Sequence, residues 1–268
     1  MNTDGPEDRV FAPIERPSDH PLVRSRVEDG VGRITLSDPE RRNSYRIEMS
    51  LDLQAAVAEV LDAGARVVVL DAVAPVFCSG GDLDDLTAPR ASLADIGRAA
   101  LCLTEIPVPT IAVVDGPVIG AGVSLALACD VILCSPRAVF DPRLLDLGVH
   151  PGGGHLRGLA RRIGRQGAVA LSLLGDTLDG TEAAETGLAW RCVPSEDLEA
   201  VAMKWARRVV SRPDEAIRRA RAVLDRTMDL DADEAARIEL EAQQWSMEQP
   251  WVAERVAILR EQLARRRH

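Results

Sequence analysis

Two glycine-rich turns, each directly after an apolar stretch of strand type, are the parts of the sequence most able to do chemistry. They are residues 77–83 (FCSGGDL) and 115–122 (DGPVIGAG). Glycine lets a ligand approach the backbone closely and leaves main-chain N–H groups accessible. The second turn opens a predicted helix, whose amino end favours developing negative charge. Two such amides directed at one oxygen would form an oxyanion hole, which predicts acyl chemistry.

The elements that position these turns alternate between strand and helix patterns. β-Branched and alternating apolar residues predict strands over 31–36, 66–70, 110–114, 131–134 and 138–140. Apolar residues at helical spacing predict helices over 46–61, 92–105 and 121–129. This alternation predicts an α/β fold built from βαβ-type units around a parallel sheet.

The last seventy residues have a different pattern, with amphipathic helices and no strand between them. The predicted helices are 198–210, 214–224 and 232–264. They carry Trp205, Trp245 and Trp251, which need an apolar surface to cover. That surface is either the α/β core or another subunit.

Composition excludes several classes of protein. The chain has 268 residues, of which 46% are hydrophobic, so it can bury a full core, and no apolar stretch approaches the length of a bilayer span. A net charge of −10 disfavours nucleic acid as a partner. Five cysteines without a C-x-x-C pair argue against a disulfide framework or a thiolate metal site, and they favour a reducing, cytoplasmic compartment.

Together with their flanks, the two turns resemble the crotonase (enoyl-CoA hydratase/isomerase) superfamily over about residues 27–225. Residues 38–44 (DPERRNS) resemble the family's R-P-x-x-x-N-A, and 77–83 resemble F-C-A-G-A-D-L. Residues 109–130 are similar to P-V-I-A-A-V-N-G…G-G-G…L-A-L-A-C-D. Residues 147–152 (LGVHPG) match L-G-x-x-P-G, and 180–191 are similar to T-G…A-x-E-A…G-L-V-x-x-V.

The resemblance implies a crotonase-like spiral of ββα units with a C-terminal helical trimerisation region. We therefore expect a polar leader at 1–22, a ββα-spiral core at 23–195 and the helical region at 196–268. The implied assembly is a homotrimer or a hexamer made of two trimers. No partner that is a nucleic acid or a membrane is expected.

The resemblance also implies an acyl-CoA substrate, with coenzyme A entering as part of that substrate and no tightly bound cofactor or metal. The oxyanion-hole amides would belong to Gly81 and Ala121. The residues implied to line the substrate and CoA channel are Arg42, Ser44, Ser79, Gly81, Asp82, Leu83, Gly120, Ala121, Arg143, Leu144 and Gly152.

The sequence departs from the family at its acid and base positions. Standard hydratases use two glutamates, which fall here at Ser124 and Leu144, and a further acid of some relatives falls at Gly152. Two-glutamate hydration is therefore not expected. Candidate replacements are Ser124, Asp146 and His150.

Other charged and nucleophilic groups nearby are weaker candidates. His155 also flanks the turn at 151–154, and each histidine could equally be a hydrogen-bonded or solvent-facing residue. Asp146 could instead pair with Arg143. A nucleophilic Ser124 would need a base beside it, and none is evident locally. The acidic pair at 84–85 replaces a frequent lysine and would repel the CoA diphosphate, so Arg41, Arg42 or a neighbouring subunit's arginine would have to compensate.

Three functions remain open from the sequence. The first is an enzyme of lyase, isomerase or hydrolase type that stabilises a thioester enolate and uses non-standard acid and base groups. The second is a catalytically degenerate protein that binds acyl-CoA in a binding or regulatory role. The third is a carbon–carbon hydrolase that acts on a free diketone.

Overall fold

The computed structural model describes residues 21–265. Most of the predicted leader, 1–22, lies outside that range. The strands are β1 (Val23–Glu28), β2 (Val31–Leu36), β3 (Val67–Ala72), β4 (Thr110–Val114), β5 (Pro117–Ile119), β6 (Val131–Cys134), β7 (Val139–Asp141), β8 (Leu178–Asp179) and β9 (Arg191–Cys192). The helices are α1 (Ile47–Asp62), α2 (Leu83–Thr87), α3 (Leu93–Thr104), α4 (Ala121–Ala128), α5 (His155–Leu173), α6 (Gly180–Thr186), α7 (Leu198–Val210), α8 (Asp214–Thr227), α9 (Ala232–Met247) and α10 (Pro250–Arg265).

The main sheet has six strands in the order β1-β2-β3-β4-β6-β9. Strand β1 is antiparallel to β2, and the remaining neighbours pair in parallel. The predicted α/β fold is therefore confirmed. A run such as VVVL in β3 is buried on both sides because helices cover both faces of a parallel sheet.

Side chains alternate between the two faces of this sheet, as they must in a strand. On β3, Val68 and Leu70 join a large core that extends to α1, α3 and α4, whereas Val67 and Val69 join a second cluster with α7. Helix α7 packs there through Leu198, Ala202 and Ala206, which follow each other at four-residue spacing on one helix face. This packing fixes the strands whose carboxyl ends lead into the glycine turns.

A second, three-stranded sheet in the order β5-β7-β8 lies beside the site. Strand β5 runs through the segment that the sequence indicated only as a turn, and it pairs in parallel with β7. Its three residues carry too short a pattern for periodicity to detect. Strand β1 was also missed, because only Val23 of its six residues is buried.

One helix prediction is wrong in its extent. The apolar pattern over 232–264 predicted one helix, but the structure forms two, and Pro250 is the first residue of α10. Proline cannot donate the hydrogen bond that continues a helix, whereas it suits the first helical position. Trp245 and Trp251 meet across this break, edge to face, with ring centroids 5.9 Å apart. Within residues 21–265 no helix combines the length and apolar composition needed to cross a membrane.

Candidate active site

The two glycine turns lie side by side because main-chain hydrogen bonds tie each of them to a neighbour. The N–H of Ile119, in the second turn, donates to the carbonyl of Cys78 in the first at 2.9 Å. On the other side of the first turn, the N–H of Tyr45 donates to the carbonyl of Gly80 at 2.7 Å, and the N–H of Asp82 donates to the carbonyl of Tyr45. The first turn is thus held between the segment at Tyr45 and the second turn.

These bonds fix the direction of the Gly81 amide. The carbonyl of Gly80 points to Tyr45, and in a trans peptide the N–H of the same unit points the opposite way. The Gly81 N–H is therefore directed to the side on which the second turn lies. It donates to no acceptor within residues 21–265.

The Ala121 amide is free for a different reason. Ala121 is the first residue of α4, and the opening N–H groups of a helix have no intrahelical acceptor. The preceding N–H, of Gly120, donates to the carbonyl of Asp141 at 2.8 Å, and that of Val123 donates to the carbonyl of Gly120. For the Ala121 N–H no acceptor is found in the described part of the chain.

The two turns can approach each other closely because glycine occupies the positions where they meet. A Cβ on Gly80 would lie 3.1 Å from the carbonyl oxygen of Ile119, and one on Gly122 would lie 2.7 Å from the Cβ of Cys78. Burial raises the pKa of the Cys78 thiol to about 12, so the thiol stays protonated and acts as a packing group. Gly81 differs from these glycines, because a Cβ there would meet nothing within 4 Å.

A cleft of about 570 Å³ opens over the two turns. Its lining contains eight residues that the sequence predicted for the substrate channel, namely Ser44, Ser79, Gly81, Asp82, Leu83, Gly120, Arg143 and Leu144. It also contains Ile119 and Leu147, which sequence reasoning missed because nothing marks them apart from core residues. Leu144 reaches over the second turn, with its Cδ2 3.6 Å from where a Cβ of Gly120 would be.

The other predicted residues, Ala121 and Ser124 among them, lie outside that lining. Arg42 is exposed, and its carbonyl accepts the N–H of Ser79 at 3.1 Å, so it supports the first turn from behind. Gly152 lies in the exposed turn before α5. Asp146 is exposed in a short 3₁₀ turn, and the exposed His150 has its Nδ1 2.9 Å from the carbonyl oxygen of Pro151. The structure therefore does not bring Asp146 and His150 to the cleft wall.

Ser124 has a partner that the sequence did not reveal. Its Oγ lies 2.9 Å from Nδ1 of His155, the first residue of α5. The expectation that no base stands beside Ser124 is therefore wrong. It failed because the two residues are 31 positions apart, and only the packing of α4 against α5 brings them together.

His155 is buried, with 1% of its surface exposed. Burial lowers the pKa of its imidazole to about 4, so the ring is neutral at physiological pH. Its Nε2 is buried and has no hydrogen-bond partner within residues 21–265. In the sequence, the one feature that could have indicated a role for His155 was its position directly after the glycines at 152–154.

Charges at the cleft mouth are partly neutralised. Asp85 is buried and paired with Arg90 at 2.7 Å, so only Asp84 of the acidic pair faces the cleft. Arg143 pairs with Asp141 and not with Asp146. Within the described residues, no cluster of three histidine, cysteine or carboxylate side chains could hold a metal ion.

Comparisons with known proteins identify the family to which the chain is similar. Residues 26–254 match the family described as enoyl-CoA hydratase/isomerase. A probable enoyl-CoA hydratase of Mycobacterium tuberculosis is 35% identical over 243 residues, 86% of this chain and 94% of that protein. The 1,2-epoxyphenylacetyl-CoA isomerase of Escherichia coli is 34% identical, over 72% of this chain and 77% of the relative. The crystal structure of a Thermobifida fusca protein in complex with acetoacetyl-CoA superposes with a TM-score of 0.78 at 29% identity, over 85% of this chain and 95% of that one.

Proposed function

Because the chain belongs to the enoyl-CoA hydratase/isomerase family and has the crotonase fold with its C-terminal helical region, we propose that it binds an acyl-CoA thioester. We further propose that it stabilises the enolate of that thioester. The thioester oxygen accepts hydrogen bonds from the N–H groups of Gly81 and Ala121. The observation that carries this proposal is that both amides lack an acceptor within residues 21–265 and belong to turns in direct contact. Such paired donors stabilise charge that develops on a carbonyl oxygen.

Relatives support the thioester more strongly than any single reaction. One relative is named for hydration and another for isomerisation of an epoxyphenylacetyl-CoA, while a structural neighbour holds acetoacetyl-CoA. What these names share is the CoA thioester. Two-glutamate hydration does not fit this chain, since Ser124 and Leu144 occupy the glutamate positions. The acid and base groups are therefore non-standard.

The proposed assembly is a homotrimer, or two trimers stacked into a hexamer, formed through the C-terminal helices. Its support is the number of apolar side chains exposed on α8, α9 and α10 and at the end of α8, which are Leu224, Met228, Leu240, Met247, Val256, Ile258, Leu259 and Leu263. Light scattering of the purified protein measures the assembly, and a monomeric mass would contradict it.

The proposed carbonyl site is tested by a side chain at Gly81. Because a Cβ there meets nothing within 4 Å, Gly81→Val leaves the fold intact but fills the space that the thioester oxygen needs. We expect titration calorimetry to show binding of butanoyl-CoA by the unaltered protein and an affinity at least tenfold lower in the variant, about 1.4 kcal/mol. Gly97→Val, in α3 and equally unhindered, is the matched control.

The proposal fails if the unaltered protein does not bind butanoyl-CoA, or if Gly81→Val binds it as tightly as the control does. A panel of acyl-CoA substrates, assayed in parallel, separates an enzyme from a protein that binds without turnover.

A further inference from the structure

Ser124 lies in α4, the helix that begins with the Ala121 amide, and its hydroxyl contacts a buried histidine. Ser124 follows Ala121, the first residue of α4, by three residues, and residues three apart are neighbours on a helix surface. A helix rises 1.5 Å per residue, which puts Ser124 about 4.5 Å further along the axis than the Ala121 amide. Ser124 is half-buried, and an acyl chain whose oxygen is held by Ala121 would bring its next carbon atoms to Ser124 if it runs along α4.

The hydroxyl alone is a poor base, but it is joined to one. The distance of 2.9 Å between Ser124 Oγ and His155 Nδ1 is that of a hydrogen bond. In the tautomer with its proton on Nε2, the imidazole presents a lone pair at Nδ1 to the hydroxyl proton. Burial keeps the ring neutral at physiological pH, so one ring nitrogen carries no proton and its lone pair is available to the hydroxyl.

The unpartnered Nε2 of His155 argues against a purely structural role. A buried polar atom without a hydrogen bond costs free energy, and apolar side chains fill such positions at no such cost. Glycines at 152–154 lead directly into His155, and Gly153 and Gly154 have positive φ, so the local chain is shaped to turn this residue inward. A histidine at this position is explained if Nδ1, the nitrogen that contacts Ser124, takes part in proton transfer.

We propose that Ser124 and His155 form the proton relay of the enolisation step, with Ser124 touching the substrate and His155 acting through it. This inference rests on the proposed thioester site. The C–H bond at the carbon next to the carbonyl breaks, its electron pair forms the enolate double bond, and the carbonyl π pair moves to the oxygen held by Gly81 and Ala121. The proton goes to Ser124 Oγ, and the Ser124 hydroxyl proton goes to His155 Nδ1. The reverse transfer returns a proton to carbon.

The test measures deuterium exchange at that carbon of butanoyl-CoA in deuterated water by proton NMR. It needs no knowledge of the final reaction, because enolisation alone exchanges the hydrogen. We expect the unaltered protein to catalyse exchange, and Ser124→Ala and His155→Asn each to slow it at least about 100-fold, within the range for general acid–base groups. Asn keeps a hydrogen-bonding group near the Nδ1 position but cannot act as a base.

Two controls separate the relay from packing. Ser124→Thr keeps the hydroxyl and is expected to retain exchange within about tenfold. Ser172→Ala removes another buried hydroxyl, in α5, and is expected to leave the rate unchanged. Butanoyl-CoA affinity, measured for all variants, is expected to stay within about threefold of the unaltered protein, a change of under 1 kcal/mol.

Three results would overturn the relay. The first is exchange by the unaltered protein that Ser124→Ala and His155→Asn do not slow, and the second is binding of butanoyl-CoA without any exchange. The third is a butanoyl group found on Ser124 by mass spectrometry, which would make the serine a nucleophile. Each of these leaves thioester binding intact, whereas failure to bind butanoyl-CoA at all is the failure of the proposed function.

Discussion

Gly122 packs directly against Cys78, so closely that a methyl group on Gly122 would lie 2.7 Å from the Cβ and 2.9 Å from the carbonyl oxygen of Cys78. This contact brings the amino end of α4 against the first turn. It therefore sets the distance between the Gly81 and Ala121 amides.

Gly122→Ala is expected to damage both stability and binding. The added methyl forces the two turns apart, and overpacking of this kind costs about 1–3 kcal/mol of unfolding free energy. Urea denaturation measures that loss, and butanoyl-CoA affinity is expected to fall with it. Gly97→Ala, which meets nothing within 4 Å in α3, is expected to be neutral or to stabilise by up to about 1 kcal/mol. Equal stability of the two variants would show that the contact is not tight.

A pH-dependent loss of stability follows from His155. Burial lowers its pKa from 6.5 to about 4, so between these values the unfolded chain binds a proton that the folded chain does not. The unfolding free energy therefore decreases as pH falls below 6.5, by about 3 kcal/mol at pH 4. The measurement is the urea midpoint of the unaltered protein and of His155→Asn between pH 7 and 4. Both proteins contain the same aspartates and glutamates, so the difference between the two pH curves isolates the contribution of His155. Parallel pH curves would contradict the burial of a neutral ring.

Asp84 is expected to weaken binding of the CoA diphosphate. It faces the cleft and, within residues 21–265, has no arginine partner such as Asp85 has. Asp84→Asn should therefore tighten butanoyl-CoA binding by up to about fivefold at low salt, less than 1 kcal/mol. The gain should disappear at high salt, because screening removes the repulsion. Butanoyl-pantetheine, which lacks the diphosphate, is the control ligand. An equal gain for that ligand would assign the effect to something other than charge.

Glutamates at positions 124 and 144 are expected to create weak hydratase activity. Leu144 already lies over Gly120, so Leu144→Glu places a carboxylate at the cleft wall, and Ser124→Glu supplies the second acid or base group. The measurement is loss of enoyl-thioester absorbance with crotonyl-CoA. The control is Ser124→Glu combined with Leu147→Glu. It has the same two added charges as the first double variant, but its second carboxylate lies at another position in the cleft. If the first double variant binds crotonyl-CoA yet is no more active than the second, the assignment of positions 124 and 144 is wrong.

The sequence predicted the α/β fold and most element positions because local patterns determine them. Strands β2, β4 and β6 were predicted within their observed bounds, since alternating or β-branched runs are local signals. The two glycine turns were recognised for the same reason. The break at Pro250 was missed because the apolar period continues through it.

The pairing of Ser124 with His155 could not be predicted from local patterns. It depends on how α5 returns to α4, and periodicity contains no information on which residues of two helices meet. The same limit explains why Asp146 and His150, close to the turn in sequence, were favoured over the buried His155. Asp146 and His150 are close to the turn along the chain, but neither lies in the lining of the cleft.

The central claim is tested most directly by the carbonyl stretching frequency of butanoyl-CoA labelled with ¹³C at the thioester carbon, measured by difference infrared spectroscopy. Hydrogen bonds from Gly81 and Ala121 should polarise the carbonyl and lower its frequency on binding. Ala121→Pro removes one donor at a helix position that tolerates proline, so it should return the frequency towards the free value. Ala232→Pro, at the first position of α9, should not. A bound frequency in the unaltered protein equal to or above that of free butanoyl-CoA would contradict the account.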